Sequence, residues 1–193
     1  MYLKDSYRKE LETKVKEVNE NKVVLEDTIF YPESGGQPSD EGKIIRGNDI
    51  FKVIKAKKES GRVIHELDKT GLLVGDKVKC VINWERRYKL MRSHTAAHIL
   101  SAIFQKEAKA LVTGNQLGID KIRIDFDLEN PDRENIKKLV EKSNEIIKRN
   151  LEVTIYEMPR EEVEKSGMSK LAMGLPQGIK ILRIVKIGNI DEQ

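Results

Sequence analysis

Cysteine occurs once in this 193-residue chain, as Cys80, so no internal disulfide framework is possible and a reducing compartment is expected. Aromatic residues make up only 5%, which leaves the core to be built mainly from aliphatic side chains. No apolar run approaches the roughly 20 residues that a membrane span needs. The opening Met1-Tyr-Leu-Lys-Asp-Ser-Tyr7 lacks the apolar stretch of a signal peptide. These absences predict a soluble cytoplasmic protein with no membrane association. The Walker lysine and the spaced glycines of a dinucleotide fingerprint are missing, and so are RNP motifs and zinc fingers.

Charge is plentiful, with 35% Asp, Glu, Lys and Arg. Lys and Arg number 36 against 32 Asp and Glu, a net charge of +4. That excess mildly favours a polyanionic partner. The cations cluster at Lys52, Lys55, Lys57 and Lys58, and again at Arg86, Arg87, Lys89 and Arg92. The abundance of Lys, Glu and Ile beside few Gln and Cys leans towards a thermophile composition.

The densest chemistry lies in His94-Thr95-Ala96-Ala97-His98. On a helix two imidazoles four residues apart face the same way, so one metal ion can take both. Zinc is the expected metal, since neutral imidazole nitrogen is among its usual ligands. Thr95 stands where a His-Glu-x-x-His protease carries its general base, so this is a ligand pair without that base. The third histidine, His65, lies in the strand-like run Arg62-Val-Ile-His-Glu-Leu67 and reads as structural.

Up to residue 85 the chain reads as a small β-barrel or sandwich. Its strand candidates are Leu11–Val18, Lys22–Glu26, Gly42–Arg46, Phe51–Ile54, Arg62–Leu67 and Lys77–Ile82. Cys80 is expected to point into that core. The second part, 86–193, reads as α+β. A histidine helix from about Arg86 to Lys109, apolar nearly all round and therefore buried, is followed by an alternating strand over Lys121–Leu128. Asn130-Pro131 reads as N-cap and first residue of a second helix, whose apolar face is Ile136, Leu139, Val140, Ile146 and Ile147. Strands over Leu151–Tyr156 and Ile179–Ile187 flank a short helix near Arg160–Lys165. The whole is expected to be α+β: a barrel-like domain over 1–85 and an α+β domain of helices packed on a sheet over 86–193.

Tyr31-Pro-Glu-Ser-Gly-Gly-Gln-Pro-Ser-Asp-Glu-Gly42 is the second dense motif. Adjacent glycines between prolines make a loop with φ values that most residues avoid, open to close approach by another backbone or a nucleic-acid strand. On physical grounds alone it is a tight turn between two barrel strands.

This glycine motif, followed by Arg92-Ser-His-Thr-Ala-Ala-His-Ile-Leu100, resembles the editing region of alanyl-tRNA synthetases. More closely, the chain is similar to the freestanding alanyl-tRNA editing proteins, the AlaX group in its two-domain form. Ser34 departs from the pattern, since the family usually has a third glycine there. The resemblance implies a zinc-dependent aminoacyl-tRNA deacylase. It would act in trans on tRNA(Ala) mischarged with serine or glycine, and His94 and His98 would be metal ligands. It places a sensor of the serine hydroxyl within Leu111–Leu117, with Thr113 as the first candidate and Gln116 as the second. Gly35, Gly36, Gln37, Arg86, Arg87 and Arg92 would form the tRNA and substrate loop. The family completes its zinc site with a Cys-x-x-x-His motif that does not occur in this sequence, so a C-terminal segment carrying it is expected beyond Gln193. Two alternatives are a tRNA-binding module without catalysis and an unrelated metallohydrolase.

Overall fold

A computed structural model describes residues 1–166 and 178–192. The chain divides into two compact units, Met1–His94 with Asn115–Arg123, and Thr95–Gly114 with Ile124–Gln193. The division therefore falls inside the histidine helix and again inside a hairpin.

The first unit is built on β1 (Glu10–Asn19), β2 (Lys22–Leu25), β3 (Gly42–Arg46), β4 (Asp49–Glu59), β5 (Arg62–Leu67) and β6 (Lys77–Ile82). They form a closed antiparallel barrel in the order β1-β2-β5-β4-β3-β6, with β6 returning to β1. Closure leaves no unpaired strand edge to template aggregation. Alternation sets the inward face: Phe51 and Val53 are buried while Lys52 and Ile54 are exposed. Bulges between Val15 and Glu17 and between Val53 and Lys55 shift the register and help the sheet curve. Cys80 pairs with Leu11 on one side and Ile44 on the other, fully buried as expected, and burial pushes its thiol up to about 12. The strand β4 is longer than its apolar core Phe51–Ile54 implied, because Asp49 and Ile50 pair with β3 while Lys55–Glu59 continue the ladder to β5.

His65 is fully buried in this barrel. Its Nδ1–H donates to the Val23 carbonyl at 3.1 Å, and its Nε2 accepts from the Thr28 hydroxyl at 2.8 Å. Desolvation lowers its pKa to about 4, so it is a neutral core residue.

After β6 come α1 (Trp84–Ala108), a hairpin of β7 (Val112–Leu117) and β8 (Ile122–Phe126), and α2 (Arg133–Lys148). These are followed by β9 (Val153–Pro159), α3 (Arg160–Ser166), β10 (Ile181–Ile187) and β11 (Asp191–Glu192). In the second unit Ile99, Ile103 and Phe104 of α1 pack with Leu139 and Ile146 of α2 and with Ile187. The rings of Phe104 and Phe126 stack 4.2 Å apart. The sheet runs β11-β10-β9, and Val163 of α3 packs against Leu182 and Ile184 of β10.

Two local expectations need correction. The cap of α2 is Asp132, not Asn130: its carboxylate accepts from the Glu134 and Asn135 amides, both at 3.2 Å. Pro131 therefore precedes the cap rather than filling the first helical position. The histidine helix is not buried all round either. Ala97, Ile99, Ile103 and Phe104 are buried, whereas His94, Ala96 and His98 are only half-buried. Among the described residues no helix is long and apolar enough to cross a membrane.

Candidate active site

The glycine motif connects β2 to β3 as a doubly closed loop. Tyr31 and Asp40 close its base, with the Asp40 amide donating to the Tyr31 carbonyl and the Tyr31 amide to the Asp40 carboxylate at 2.7 Å. Ser34 and Gln37 close its tip by exchanging backbone hydrogen bonds at 3.1 and 2.9 Å. Between them Gly35 and Gly36 have φ of +58° and +77°, the left-handed pair that a type I′ turn requires. Gly36 is required for space as well. A Cβ there would lie 1.7 Å from the Asn115 Oδ1 and 2.9 Å from its carbonyl oxygen. The Gly36 carbonyl also accepts from the Leu117 amide at 2.8 Å, which ties the turn to the end of β7.

These two segments enclose a cleft of about 880 Å³ in the first unit. One side carries Gly35, Gly36 and Gln37. The other carries Asn115 and Gln116, with the cations Lys121 and Arg123 from the end of the hairpin. Backbone without side chains, three amides and two cations against the single carboxylate of Glu33 suit a polar, negatively charged ligand better than an apolar one.

His94 and His98 stand one turn apart on α1, and each has an oxygen acceptor at Nδ1. For His94 it is the Gln37 Oε1 at 2.8 Å, and for His98 the Asp191 Oδ2 at 3.0 Å. Both acceptors take a hydrogen bond from Nδ1, the outer contact usual for a histidine metal ligand. Among the described residues no group of three or more His, Cys, Asp or Glu side chains is gathered for a metal. Two imidazoles fit half of a zinc shell and do not complete it.

Comparison with known proteins agrees with this motif order. The family model of class II (A) tRNA synthetases matches residues 3–86. An alanyl-tRNA editing protein AlaX-M of Methanosarcina mazei is 46% identical over 201 residues, covering 98% of this chain and 80% of the relative. Another AlaX-M, of Saccharolobus solfataricus, is 41% identical and covers 100% and 83%. An alanine–tRNA ligase of Ignicoccus hospitalis is 34% identical over 99% of this chain, which spans 21% of that enzyme. The chain belongs to the AlaX-M family of alanyl-tRNA editing proteins.

Within this chain the residues singled out by sequence do not all share one place. Gly35, Gly36, Gln37 and Gln116 line the cleft. Thr113 is exposed on β7 and is not among the residues that line the cleft. Arg92 is exposed on α1. Arg86 is half-buried, with its Nε and Nη2 donating to the Ser39 carbonyl at 3.3 Å and its Nη2 also 3.3 Å from Glu41. Arg87 is 3% exposed, with its guanidinium on the Asp40 carboxylate and on the Ser6 and Ile29 carbonyls. A cation so buried holds the loop from within. Of the other basic cluster, Lys55 is paired with Glu33 at 2.5 Å and lowers that carboxyl's pKa by hydrogen bonding and charge. Sequence reasoning missed Asn115, Lys121 and Arg123. Their run, Asn-Gln-Leu-Gly-Ile-Asp-Lys-Ile-Arg, carries no motif, and only the hairpin brings it to the glycine turn.

Proposed function

We propose that this protein is a trans-editing hydrolase that deacylates tRNA(Ala) mischarged with serine, and less readily with glycine, in the cytoplasm. The observation that carries the reading is the cleft in which the Gly35–Gly36 turn faces Asn115, Gln116, Lys121 and Arg123. A bare backbone turn admits the end of a nucleic-acid strand, and the cations match its phosphates. The aminoacyl ester is cleaved by adding water to its carbonyl carbon and breaking the bond to the terminal ribose oxygen. Free amino acid and uncharged tRNA are the products.

Such a site must spare alanine. Serine adds one hydroxyl, which a synthetase pocket sized for alanine rejects poorly. A polar side chain that pairs with that hydroxyl is left unpaired by alanine, and this supplies the discrimination. Thr113 and Gln116 are the candidates, and Gln116 lines the cleft.

Zinc is the proposed cofactor, with His94 and His98 as two of its ligands. When bound it would supply Lewis-acid chemistry, and metal analysis of the native protein tests for it. Serine release from Ser-tRNA(Ala), with Ala-tRNA(Ala) as the control, tests the function itself.

A further inference from the structure

The glycine motif does more than expose two glycines, because its second half lies along α1. Gln37 meets His94 and Asp40 meets Arg87, with Arg86 on the Ser39 carbonyl between them. Arg87 and His94 are two turns apart on one helix face, separated by about 10.5 Å of helix rise. Three extended residues, from Gln37 to Asp40, span about 10 Å. The loop therefore runs antiparallel to the helix with matching reach. The Asp40 end is withdrawn from solvent, with Asp40 fully buried and Arg87 3% exposed, and at the other end Gln37, 4% exposed, meets a half-buried His94.

The Asp40 end is over-determined for a connector. Its carboxylate takes Arg87 and the Tyr31 amide, while Arg87 also reaches two carbonyls from separate segments. A buried ion pair is a poor source of net stability, but it admits only one register. The Gln37 end has a different consequence. An amide oxygen can only accept, so the ring of His94 must present Nδ1–H to it.

We infer that residues 37–40 are a splint on α1, in which the Asp40–Arg87 pair fixes the register and Gln37 sets the tautomer and orientation of His94. Gln37 and Asp40 are thus positioning residues. The inference deepens the proposed function and rests on it only for the use to which His94 is put.

The test is the ring 15N NMR spectrum of His94 in the full chain, kept free of metal by a chelator because a metal on Nε2 would itself fix the proton on Nδ1, at about pH 8, where an ordinary imidazole is neutral. Wild type is expected to show the Nδ1–H form. Gln37→Leu, close in size but unable to accept, is expected to shift the ring towards Nε2–H, and Gln37→Glu to keep Nδ1–H. Asp40→Asn, which weakens the pair while keeping the shape, should give a mixed His94 signal. Serine release by Gln37→Leu should fall about 10-fold or more, as for other orienting partners of functional histidines, with KM little changed. Should Gln37→Leu not fold, the wild-type tautomer decides alone. An Nε2–H ring in wild type, or an unaltered ring in folded Gln37→Leu, overturns the part assigned to Gln37. A sharp, unaltered His94 signal in folded Asp40→Asn overturns the part assigned to the pair. Absence of deacylation beside the expected tautomer would sink the hydrolase reading and leave the splint standing.

Discussion

The Asp40 carboxylate and the Arg87 guanidinium, 47 residues apart in sequence, form an ion pair whose side chains are 1% and 3% exposed. Removing one partner strands the other as a buried charge, at a cost of about 3–5 kcal/mol. Arg87→Met alone is therefore expected to lower the urea midpoint strongly. Adding Asp40→Leu should recover much of the loss, since a well-packed apolar pair is often as stable as an ionic one. A double variant no more stable than Arg87→Met would show that the hydrogen bonds to Ser6, Ile29 and Tyr31 matter more than the charges.

Gly35 and Gly36 should respond differently to alanine. At Gly35 nothing lies within 4 Å of an added Cβ, so Gly35→Ala meets only the strain of φ +58°, about 1 kcal/mol. At Gly36 the same change also drives Asn115 and the β7 backbone away. We expect Gly36→Ala to cost more stability than Gly35→Ala and to open the cleft, losing deacylation. Denaturation midpoints and serine release for the two variants check this, and equal effects would contradict it.

His65 gives stability a defined pH dependence. Its folded pKa is about 4 against 6.5 unfolded, so between those values the unfolded chain holds the extra proton. Stability therefore rises with pH across this window. The contribution is fully present above about 6.5 and is lost as pH falls towards 4. The shift of roughly 2.5 units corresponds to on the order of 3 kcal/mol. Denaturation of wild type and His65→Leu at several pH values between 4 and 7 measures it. The difference between the two proteins should narrow as the pH falls.

Much of the barrel was legible because its strands are short and its turns are marked, so that its six strands could be outlined and Cys80 placed inside. The histidine pair was legible for the same reason, as helical spacing. Strand β7 was not, since Val-Thr-Gly-Asn-Gln-Leu mixes a glycine and two amides with no alternation. Asp132 displaced Asn130 as the cap because both are good cap residues and only backbone geometry chooses between them. The site's other half was hidden by distance along the chain. Nothing in the sequence reports that Asn115 presses on Gly36, or that Arg87 is spent on Asp40 rather than left for a phosphate.

Side-by-side deacylation of Ser-tRNA(Ala) and Ala-tRNA(Ala) by the full chain, supplied with zinc, tests the central claim most directly. The account predicts chelator-sensitive release of serine at least about 5-fold faster than release of alanine, since one unpaired polar group is worth about 1–3 kcal/mol. Replacing the candidate sensors, Thr113 by Val and Gln116 by Leu, should narrow that ratio. Tight binding of the tRNA with no serine release, or equal release of both amino acids, would contradict it.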